Sequence, residues 1–283
     1  MTPLRQQLLD CMQVRHFSKR TQQTYINWVF ELAKYYRRSP DELQEQEYKA
    51  FLWSLSLERH LSTSSCLQAF HALNFFYQHV LDRTFTEQLL PRMKHEQKIP
   101  ELLSPSEVQR IFSFCRNFIY RTMLMLCYGC GLRVSELCAL AVKDIDGEQK
   151  VLHIHLAKGG KDRRISLSDT LLKHLRHYWY HHPSHAYLFF TTDPSRAMAM
   201  SNVQKVYKRA KKDAGIVKAG GIHALRHAYA THQLTAGMPL SQLQHNLGHE
   251  NIRTTLRYTH WLPDYQAKDG VEFDLIDALE KLS

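Results

Sequence analysis

Two short stretches late in the sequence crowd imidazoles, guanidiniums and one phenol into forty residues. They read GIHALRHAYATH and LGHENIRTTLRYTH. His223 and Arg226 stand three residues apart, so a helix would present both on one face. His249 follows Gly248, where a helix is expected to end, and Tyr258 lies nine residues farther on.

Earlier in the chain, Arg133 in GLRVSEL and Lys158 in AKGGKDRRISL add two cations. Together these residue types favour a phosphate as the bound group, because arginine offers paired, planar donors to phosphate oxygens. A lysine beside other cations can protonate a departing oxygen, and a tyrosine can act as a nucleophile. The sequence places no cluster of carboxylates with them, so protein cations would have to neutralise the phosphate charge.

Each of these residues also has an ordinary structural interpretation. Arg133 could form a surface ion pair with Glu136, and His223 and His227 could pack or cap a helix. Tyr258 is one of fourteen tyrosines, and most tyrosines belong to a core or a surface. The chemical interpretation therefore depends on the set rather than on any single residue.

Metal and hydrolase sites are disfavoured. HALRH and HNLGH pair histidines four residues apart, as helical zinc sites do, but Ala224 and Asn246 stand where a zinc protease needs glutamate. Cys127 and Cys130 have the spacing of half a zinc site, but they end an apolar run, which favours buried thiols. The sequence also lacks the G-x-S-x-G elbow of a serine hydrolase.

The composition is that of a basic globular protein. Hydrophobic residues make up 44% and charged residues 23% of the 283 residues, which suffices for two packed domains. A net charge of +10 and a pI near 9.3 favour a polyanionic partner. Without a signal peptide or an apolar run of bilayer length, we expect a soluble, intracellular protein with reduced cysteines.

The first part of the chain has the periodicity of helices. Ser18 and Ser62 each precede an amphipathic run, as helix N-caps do. Ser39, followed by a proline and a glutamate, predicts a third helix start with a capping box. The apolar residues from Tyr48 to Leu55 supply its continuation or a second helix. Residues 1–95 are therefore predicted to form a small all-helical domain, and the breaker-rich stretch 96–102 a linker.

Residues 103–283 are predicted to mix helices with a small sheet. Ser104 begins another capped helix. VLHIHL alternates apolar and polar residues, a glycine pair begins at Gly159, and RRISL returns, which predicts a β-hairpin. Helices resume after Ser168, and one of them, KVYKRAKKDAG, carries cations that face either solvent or phosphate. The predicted fold class is mainly α with a small β-sheet.

Four motifs resemble, in their order and spacing, those of the tyrosine recombinases and phage integrases: GCGLRVSELCALAVKDID, AKGGKDRRISL, HALRHAYATHQL and LGHENIRTTLRYTH. SKRTQQTY and STSSCLQAFHALNFFY resemble the family's helical core-binding domain, so the likeness spans roughly residues 15–262. One departure is Ile222, where the family often has proline. The resemblance implies a SAM-like core-binding domain over 1–95 and a mixed α/β catalytic domain of the DNA breaking–rejoining type over 103–283.

The resemblance also implies a role for each site residue. Arg133 and Arg226 would grip the scissile phosphate, which His223 would contact as an acid–base group. His249 would donate a hydrogen bond to the phosphate. Tyr258 would attack it and form a 3′-phosphotyrosyl link.

In the implied reaction, Lys158 would protonate the leaving 5′ oxygen, and Lys161 is the alternative. Because phosphodiester energy is retained, the reaction would need no metal, ATP or other cofactor. Further cations are predicted to contact double-stranded DNA: Lys161, Arg163, Arg164, Lys205, Lys208, Arg209, Lys211 and Lys212.

The C-terminal tail, residues 264–283, carries an apolar face. Its members are Val271, Leu275, Ile276, Leu279 and Leu282. Such a helix could close its own core in cis. The resemblance suggests docking in trans onto a neighbouring protomer, which would help a homotetramer form on two DNA sites, and we expect this arrangement.

The sequence thus predicts a site-specific DNA recombinase or integrase, encoded by a bacterium or a mobile element and associated with the nucleoid in the cytoplasm. Two other functions stay open: a catalytically inactive DNA-binding accessory protein of the same fold, and a type IB topoisomerase-like enzyme that relaxes DNA. The complete set of site residues argues against the first. The helical first domain and the tail argue against the second.

Overall fold

The computed structural model describes residues 2–84, 100–155, 162–262 and 274–281. The chain divides into two compact units, Met1–Lys98 and Ile99–Ser283. Within the described ranges, no helix combines the length and the apolar character that a bilayer span needs. Helices dominate both units, and the strands form one small sheet, so the predicted fold class is confirmed.

The described part of the first unit is entirely helical. Its elements are α1 (Pro3–Val14), α2 (Lys19–Tyr36), a 3₁₀ turn (Pro40–Glu42), α3 (Glu45–Leu57) and α4 (Thr63–Val80). The side chains of Ser18 and Ser62 accept hydrogen bonds from the backbone N–H groups of Thr21 and Ser65, at 3.1 and 3.3 Å. Both predicted helix starts are therefore confirmed. Helices α1, α2 and α3 pack against α4 around a core rich in aromatic side chains.

The predicted helix start at Ser39 is confirmed only as a short 3₁₀ turn, and the capping box predicted there is wrong. Residues 40–42 form only a 3₁₀ turn, and Ser39 makes no side-chain capping bond. The chain then becomes extended at Leu43, whose side chain is fully buried, and this insertion into the core interrupts the helix. Helix α3 begins two residues later, where the backbone N–H of Gln44 donates to the Glu47 carboxylate at 2.9 Å.

The second unit contains a larger hydrophobic core than the first. Its described elements are α5 (Pro105–Phe114), α6 (Phe118–Gly129), α7 (Val134–Ala139), a 3₁₀ turn (Val142–Asp144), β1 (Ile145–Asp146), β2 (Val151–Ile154), β3 (Arg163–Ser166), α8 (Asp169–His181), α9 (Met200–Asp213), α10 (His223–Thr235), α11 (Leu240–Leu247), α12 (Ile252–Thr259) and α13 (Leu275–Glu280). The predicted starts at Ser104 and Ser168 are confirmed, because each side chain accepts a backbone N–H bond of its own helix, at 3.2 Å.

The three strands form an antiparallel sheet in the order β1-β2-β3. Leu152 pairs with Ile165, and both side chains are fully buried. The predicted hairpin is therefore confirmed, although its tip, with Leu156 and Gly159, lies outside the described residues. Helix α11 packs against β3, and this contact later matters for the site.

The tail helix α13 closes the core of its own unit. It packs against α5, α6, α8 and α10, and it buries Leu275, Ile276 and Leu279. The side chain of Gln109 donates to the carbonyl oxygen of Leu279 at 3.1 Å. In this single chain the tail thus adopts the cis arrangement, and its apolar face is covered by its own unit. Docking in trans involves a second protomer and stays a prediction. Val271 and Leu282 lie outside the described residues.

Cys127 and Cys130 end α6 as buried thiols. The Cys127 thiol donates to the carbonyl oxygen of Leu132 at 3.3 Å, and burial raises its pKa to about 12. Their packing agrees with the expectation for thiols at the end of an apolar helix.

Candidate active site

The turn between α6 and α7 positions Arg133. Gly131 has a left-handed φ of +61°, and a Cβ atom there would lie 2.4 Å from the ring of Tyr229. Arg133 stands just before α7, and its backbone N–H and Nη1 donate to the Glu136 carboxylate at 2.9 and 2.7 Å. Its side chain remains 37% exposed, so the guanidinium keeps donors for a ligand while the ion pair orients it.

A buried ion pair between β3 and α7 lies next to Arg133. Arg163 donates from Nη1 and Nη2 to the two oxygens of Glu136 at 3.1 and 2.9 Å. Its Nε donates to the carbonyl oxygen of Asn246 at 2.8 Å. Burial alone would raise the pKa of Glu136, but hydrogen bonds and charge from Arg163 and Arg133 outweigh it and lower the pKa to about 2.

The predicted DNA contact of Arg163 is wrong. The residue is 4% exposed, and each of its side-chain nitrogens is already bonded inside the protein. Successive side chains of a strand point to opposite faces, so Arg163 points inward and its neighbour Arg164 outward. The charge alone could not distinguish the two residues.

Helix α10 places Arg226 in the centre of the site, where it is 1% exposed. Nη1 donates to the carbonyl oxygen of Gly131 at 2.8 Å, and Nη2 to that of Leu247 at 2.6 Å. Burial, helped by the charge of Arg133, lowers the pKa of Arg226 to about 10, so the guanidinium stays charged near neutral pH. The ends of two helices, α6 and α11, therefore fix this cation.

His249 follows the C-terminus of α11. Gly248 takes a left-handed φ of +61°, and a Cβ atom there would lie 2.8 Å from Nη1 of Arg163. The Nε2 of His249 lies 3.0 Å from Nη2 of Arg226, and its Nδ1 lies 2.9 Å from Oγ1 of Thr255. Because a guanidinium only donates, Nε2 accepts and Nδ1 carries the proton. Burial and the neighbouring arginines lower the pKa of His249 to about 4.

Tyr258, on α12, brings a phenol into the same cluster and is 3% exposed. Its Oη lies 3.1 Å from Nδ1 of His227. The ring is parallel to that of His249, with centroids 6.5 Å apart, and nearly perpendicular to that of Trp261, with centroids 5.0 Å apart. Burial raises the pKa of Tyr258, whereas the charges of the nearby arginines, Arg226 first, oppose that rise.

His223 begins α10 at the exposed side of the cluster. Its ring centroid lies 4.6 Å from that of His227. Desolvation and the charges of Arg226 and Arg133 lower its pKa. The structure thus brings five of the predicted site residues together: Arg133, His223, Arg226, His249 and Tyr258. Lys158 and its alternative Lys161 lie outside the described residues.

The remaining predicted DNA-contacting cations lie mostly on exposed surface: Arg164 on β3 and Lys205, Lys208, Arg209 and Lys212 on α9. Lys211 differs, because its ammonium donates to the carbonyl oxygens of Lys218 and Gly220 in the segment before α10. A cleft of about 860 Å³ lies between this segment and α9 and reaches His223.

His227 and Trp261 are members of the site that the sequence motifs do not predict. The four-residue spacing of His227 from His223 places both on one helix face, but that spacing is equally typical of packing, of helix capping or of a zinc pair. Within the described ranges, no group of three or more histidine, cysteine, aspartate or glutamate side chains is arranged to hold a metal. The cluster combines fixed cations, imidazoles of lowered pKa and a buried phenol, which suits binding and attack of a phosphodiester.

Comparison with known proteins identifies the family to which this chain is similar. Residues 101–264 match the model of the phage integrase family, and residues 4–87 match its N-terminal SAM-like domain. An integrase/recombinase of Escherichia coli is 32% identical over 300 residues, with 90% of this chain and 88% of the relative covered. A tyrosine recombinase of Thermosipho africanus is 30% identical over 271 residues, covering 92% of this chain and 94% of the relative.

Among solved structures, the XerH site-specific recombinase bound to its difH substrate, in a pre-cleavage complex, has the same fold. The TM-score is 0.71 at 20% identity, with 90% of this chain and 81% of that chain covered. The match extends over both units, and it includes the SAM-like helices as well as the sheet-containing unit.

Proposed function

The chain belongs to the phage integrase family, and from that premise we propose that it is a tyrosine recombinase with Tyr258 as its nucleophile. Its substrate is double-stranded DNA, which it cleaves and rejoins at a specific site. The observation that carries the assignment is the position of the Tyr258 hydroxyl in one cluster with Arg226 and two imidazoles.

The geometry accounts for charge neutralisation at the phosphate. Arg226 is held on two carbonyl oxygens and Arg133 on Glu136, so neither guanidinium has to be ordered when DNA arrives. Fixed donors aimed at the place where charge develops stabilise a transition state without reorganisation. These cations supply the neutralisation that Mg²⁺ supplies in many phosphoryl-transfer enzymes.

The reaction proceeds in two balanced transfers. The phenol of Tyr258 gives its proton to a base of the site as its Oη attacks phosphorus, the bond from phosphorus to the 5′ oxygen breaks, and Lys158 protonates that oxygen. The product is a 3′-phosphotyrosyl link and a free 5′ hydroxyl. A 5′ hydroxyl of the partner duplex then attacks the link and gives its proton to the neutral amine of Lys158, and the base returns a proton to the departing Oη of Tyr258. One phosphodiester replaces another, so no ATP is consumed.

His249 has to change partners to take the role that the resemblance assigns to it. In the free protein its Nε2 accepts from Arg226, so it offers no proton there. A phosphate that takes over the Arg226 donors frees Nε2, and its negative charge favours protonation of the ring. His249 can then donate to the phosphate, while His223, at the exposed side, contacts it from the other flank.

The wider functional context is also a proposal. Residues 1–95 act as the core-binding domain and residues 103–283 as the catalytic domain, with exposed cations of α9 on the DNA backbone. A homotetramer assembles on two DNA sites when α13 exchanges its cis contacts for the same contacts on a neighbouring protomer. The protein works at the nucleoid, in a bacterium or for a mobile element.

The decisive experiment offers the protein a pool of nicked DNA drawn from the sequences that flank its gene, in EDTA. Wild-type protein should yield a protein–DNA adduct that resists denaturation, and Tyr258→Phe should bind the same DNA without forming it. An adduct with Tyr258→Phe would refute the nucleophile. DNA binding without any wild-type adduct would favour the accessory protein, and relaxation of plasmid without exchange between two sites would favour the topoisomerase.

A further inference from the structure

We propose that His227 is a further catalytic residue, which accepts the phenol proton of Tyr258 as the tyrosine attacks phosphorus. The inference rests on the proposed function, because it requires Tyr258 to be the nucleophile. His227 is not among the residues to which the family resemblance assigns a catalytic role.

The contact has the geometry of a proton transfer. The Oη of Tyr258 and the Nδ1 of His227 are 3.1 Å apart, which is within hydrogen-bond reach. The Trp261 ring packs nearly perpendicular to both partners, with centroids 5.4 Å from His227 and 5.0 Å from Tyr258. Because Tyr258 is 3% exposed, bulk water cannot readily serve as the acceptor in its place.

The surroundings of His227 favour the neutral form of its ring, in which one nitrogen has a lone pair that can accept a proton. Burial, His223 and Arg226 lower the pKa of His227 to about 4, so the ring is neutral near neutral pH. His223 and Arg226 lie on its own helix, and Tyr258 is the titratable group that faces it from α12. The phenol itself has a raised pKa, so it needs an acceptor before it can attack.

Other groups near the phenol are unsuited to this task. Arg226 can only donate, so it can stabilise negative charge on Oη but cannot take its proton. His249 uses Nε2 to accept from Arg226 and Nδ1 to donate to Thr255. Among the described residues, His227 is the imidazole that has a nitrogen within hydrogen-bond distance of Oη.

The step balances in both directions. As the bond from Oη to phosphorus forms, the electron pair of the O–H bond stays on Oη, and the proton moves to the lone pair of Nδ1. The bond from phosphorus to the 5′ oxygen breaks, and Lys158 protonates the leaving oxygen. When a 5′ hydroxyl later attacks the phosphotyrosyl link, its proton moves to the neutral amine of Lys158, and the imidazolium of His227 returns its proton to the departing Oη.

One test uses the DNA recovered in the adduct experiment. The rate of adduct formation per folded molecule should fall about 10²- to 10⁴-fold in His227→Ala, the range of general-base catalysis. The wild-type rate should be level between about pH 6 and 8, because this whole range lies well above the pKa of His227, which is about 4. The variant should accelerate with rising pH, since its phenol must lose its proton to solvent, and added imidazole should restore part of the rate.

His232→Ala is the matched control. His232 lies on the same helix, its Nδ1 contacts the hydroxyl of Tyr128 at 2.8 Å, and burial lowers its pKa to about 4. It should cost stability and leave the rate per folded molecule unchanged. If His227→Ala keeps the wild-type rate, or is equally slow at every pH and insensitive to imidazole, the proton-acceptor role is refuted while the recombinase stands.

A second measurement covers the case in which His227→Ala does not fold. Nitrogen NMR of wild-type protein labelled in histidine, assigned with Tyr258→Phe, reports which nitrogen of His227 carries the proton. An unprotonated Nδ1 that shifts in Tyr258→Phe is expected, and a protonated Nδ1 would overturn the inference. If wild-type protein forms no adduct at all, the proposed function fails and the inference fails with it.

Discussion

Arg163 and Glu136 form a two-point ion pair, with bonds of 3.1 and 2.9 Å, that joins β3 to α7 immediately next to Arg133. The same carboxylate holds the guanidinium of Arg133 at 2.7 Å. The Nε of Arg163 also bonds the carbonyl oxygen of Asn246, two residues before the turn at Gly248. One buried arginine therefore connects the hairpin strand to both turns that position the site.

Arg163→Met should destabilise the protein strongly. It leaves the Glu136 carboxylate buried without its main partner, a change that typically costs about 3–5 kcal/mol. Urea unfolding followed by circular dichroism measures the loss. Arg164→Met, on the exposed face of the same strand, should change the free energy of unfolding by at most about 0.5 kcal/mol. Equal losses in the two variants would contradict the structural role of Arg163.

Arg226→Lys should separate chemistry from DNA binding. The single nitrogen of lysine cannot occupy the positions of both Nη1 and Nη2, so the rate of adduct formation should fall by about 10²- to 10³-fold. DNA affinity, which many cations share, should change little. Arg209→Lys, on the surface of α9, should alter neither quantity much. A loss of affinity in Arg226→Lys as large as its loss of rate would contradict a role at the reacting phosphate.

Lys212 and Lys211 should behave differently although they are neighbours. Lys212 is exposed, so Lys212→Gln should weaken DNA binding and reduce the slope of log affinity against log salt by about 0.9 for one lost phosphate contact. Lys211 donates to carbonyl oxygens of its own chain, so Lys211→Gln should leave the slope unchanged and lower the free energy of unfolding. The same change of slope in both variants would contradict this distinction.

The free energy of unfolding should fall as pH drops from about 7 to 4. The folded pKa values of His227, His232 and His249 are about 4, below the unfolded value of 6.5, so the unfolded chain binds more protons in that window. The pKa of Glu136 is lowered from its ordinary value of 4.5 to about 2 in the folded protein, so its protonation lowers the free energy of unfolding further as the pH falls through that range. Denaturant melts across pH test this. His232→Ala should flatten the slope between pH 6.5 and 4 by up to one proton, about 1.4 kcal/mol per pH unit. An unchanged slope would contradict the buried neutral state of His232.

The tail helix should stabilise its own unit when the protein is free of DNA. Ile276→Ala deletes a fully covered side chain that packs beside Gly129, so it should cost about 2–5 kcal/mol. Because the packing is in cis, the free energy of unfolding should not depend on protein concentration. Denaturation at micromolar and at hundredfold higher concentration measures both. A stability that rises with concentration would instead mean that the tail of free protein docks in trans.

The helical architecture and much of the site followed from local pattern. Three helix starts could be predicted from the N-cap residues Ser18, Ser62 and Ser104, because an N-cap bonds the first turn of its own helix and needs no distant partner. The alternation of VLHIHL predicts the hairpin for the same reason. The capping box predicted at Ser39 does not form, because Leu43 is extended and buries its side chain in the core. That contact is with distant residues, so local sequence cannot predict it.

By itself, the sequence determined which chemical groups are available: two arginines, a lysine, two histidines and a tyrosine in motifs whose spacing predicts one phosphate-directed set. Tertiary structure decided which groups meet and in what state. Arg163 became a buried support instead of a DNA contact, because strand geometry turned it toward Glu136. His227 reached the hydroxyl of Tyr258 because α10 and α12 pack together, and burial among cations holds its ring neutral. Proximity between distant segments and desolvation are properties of the packed chain, and neither is encoded in residue type or local spacing.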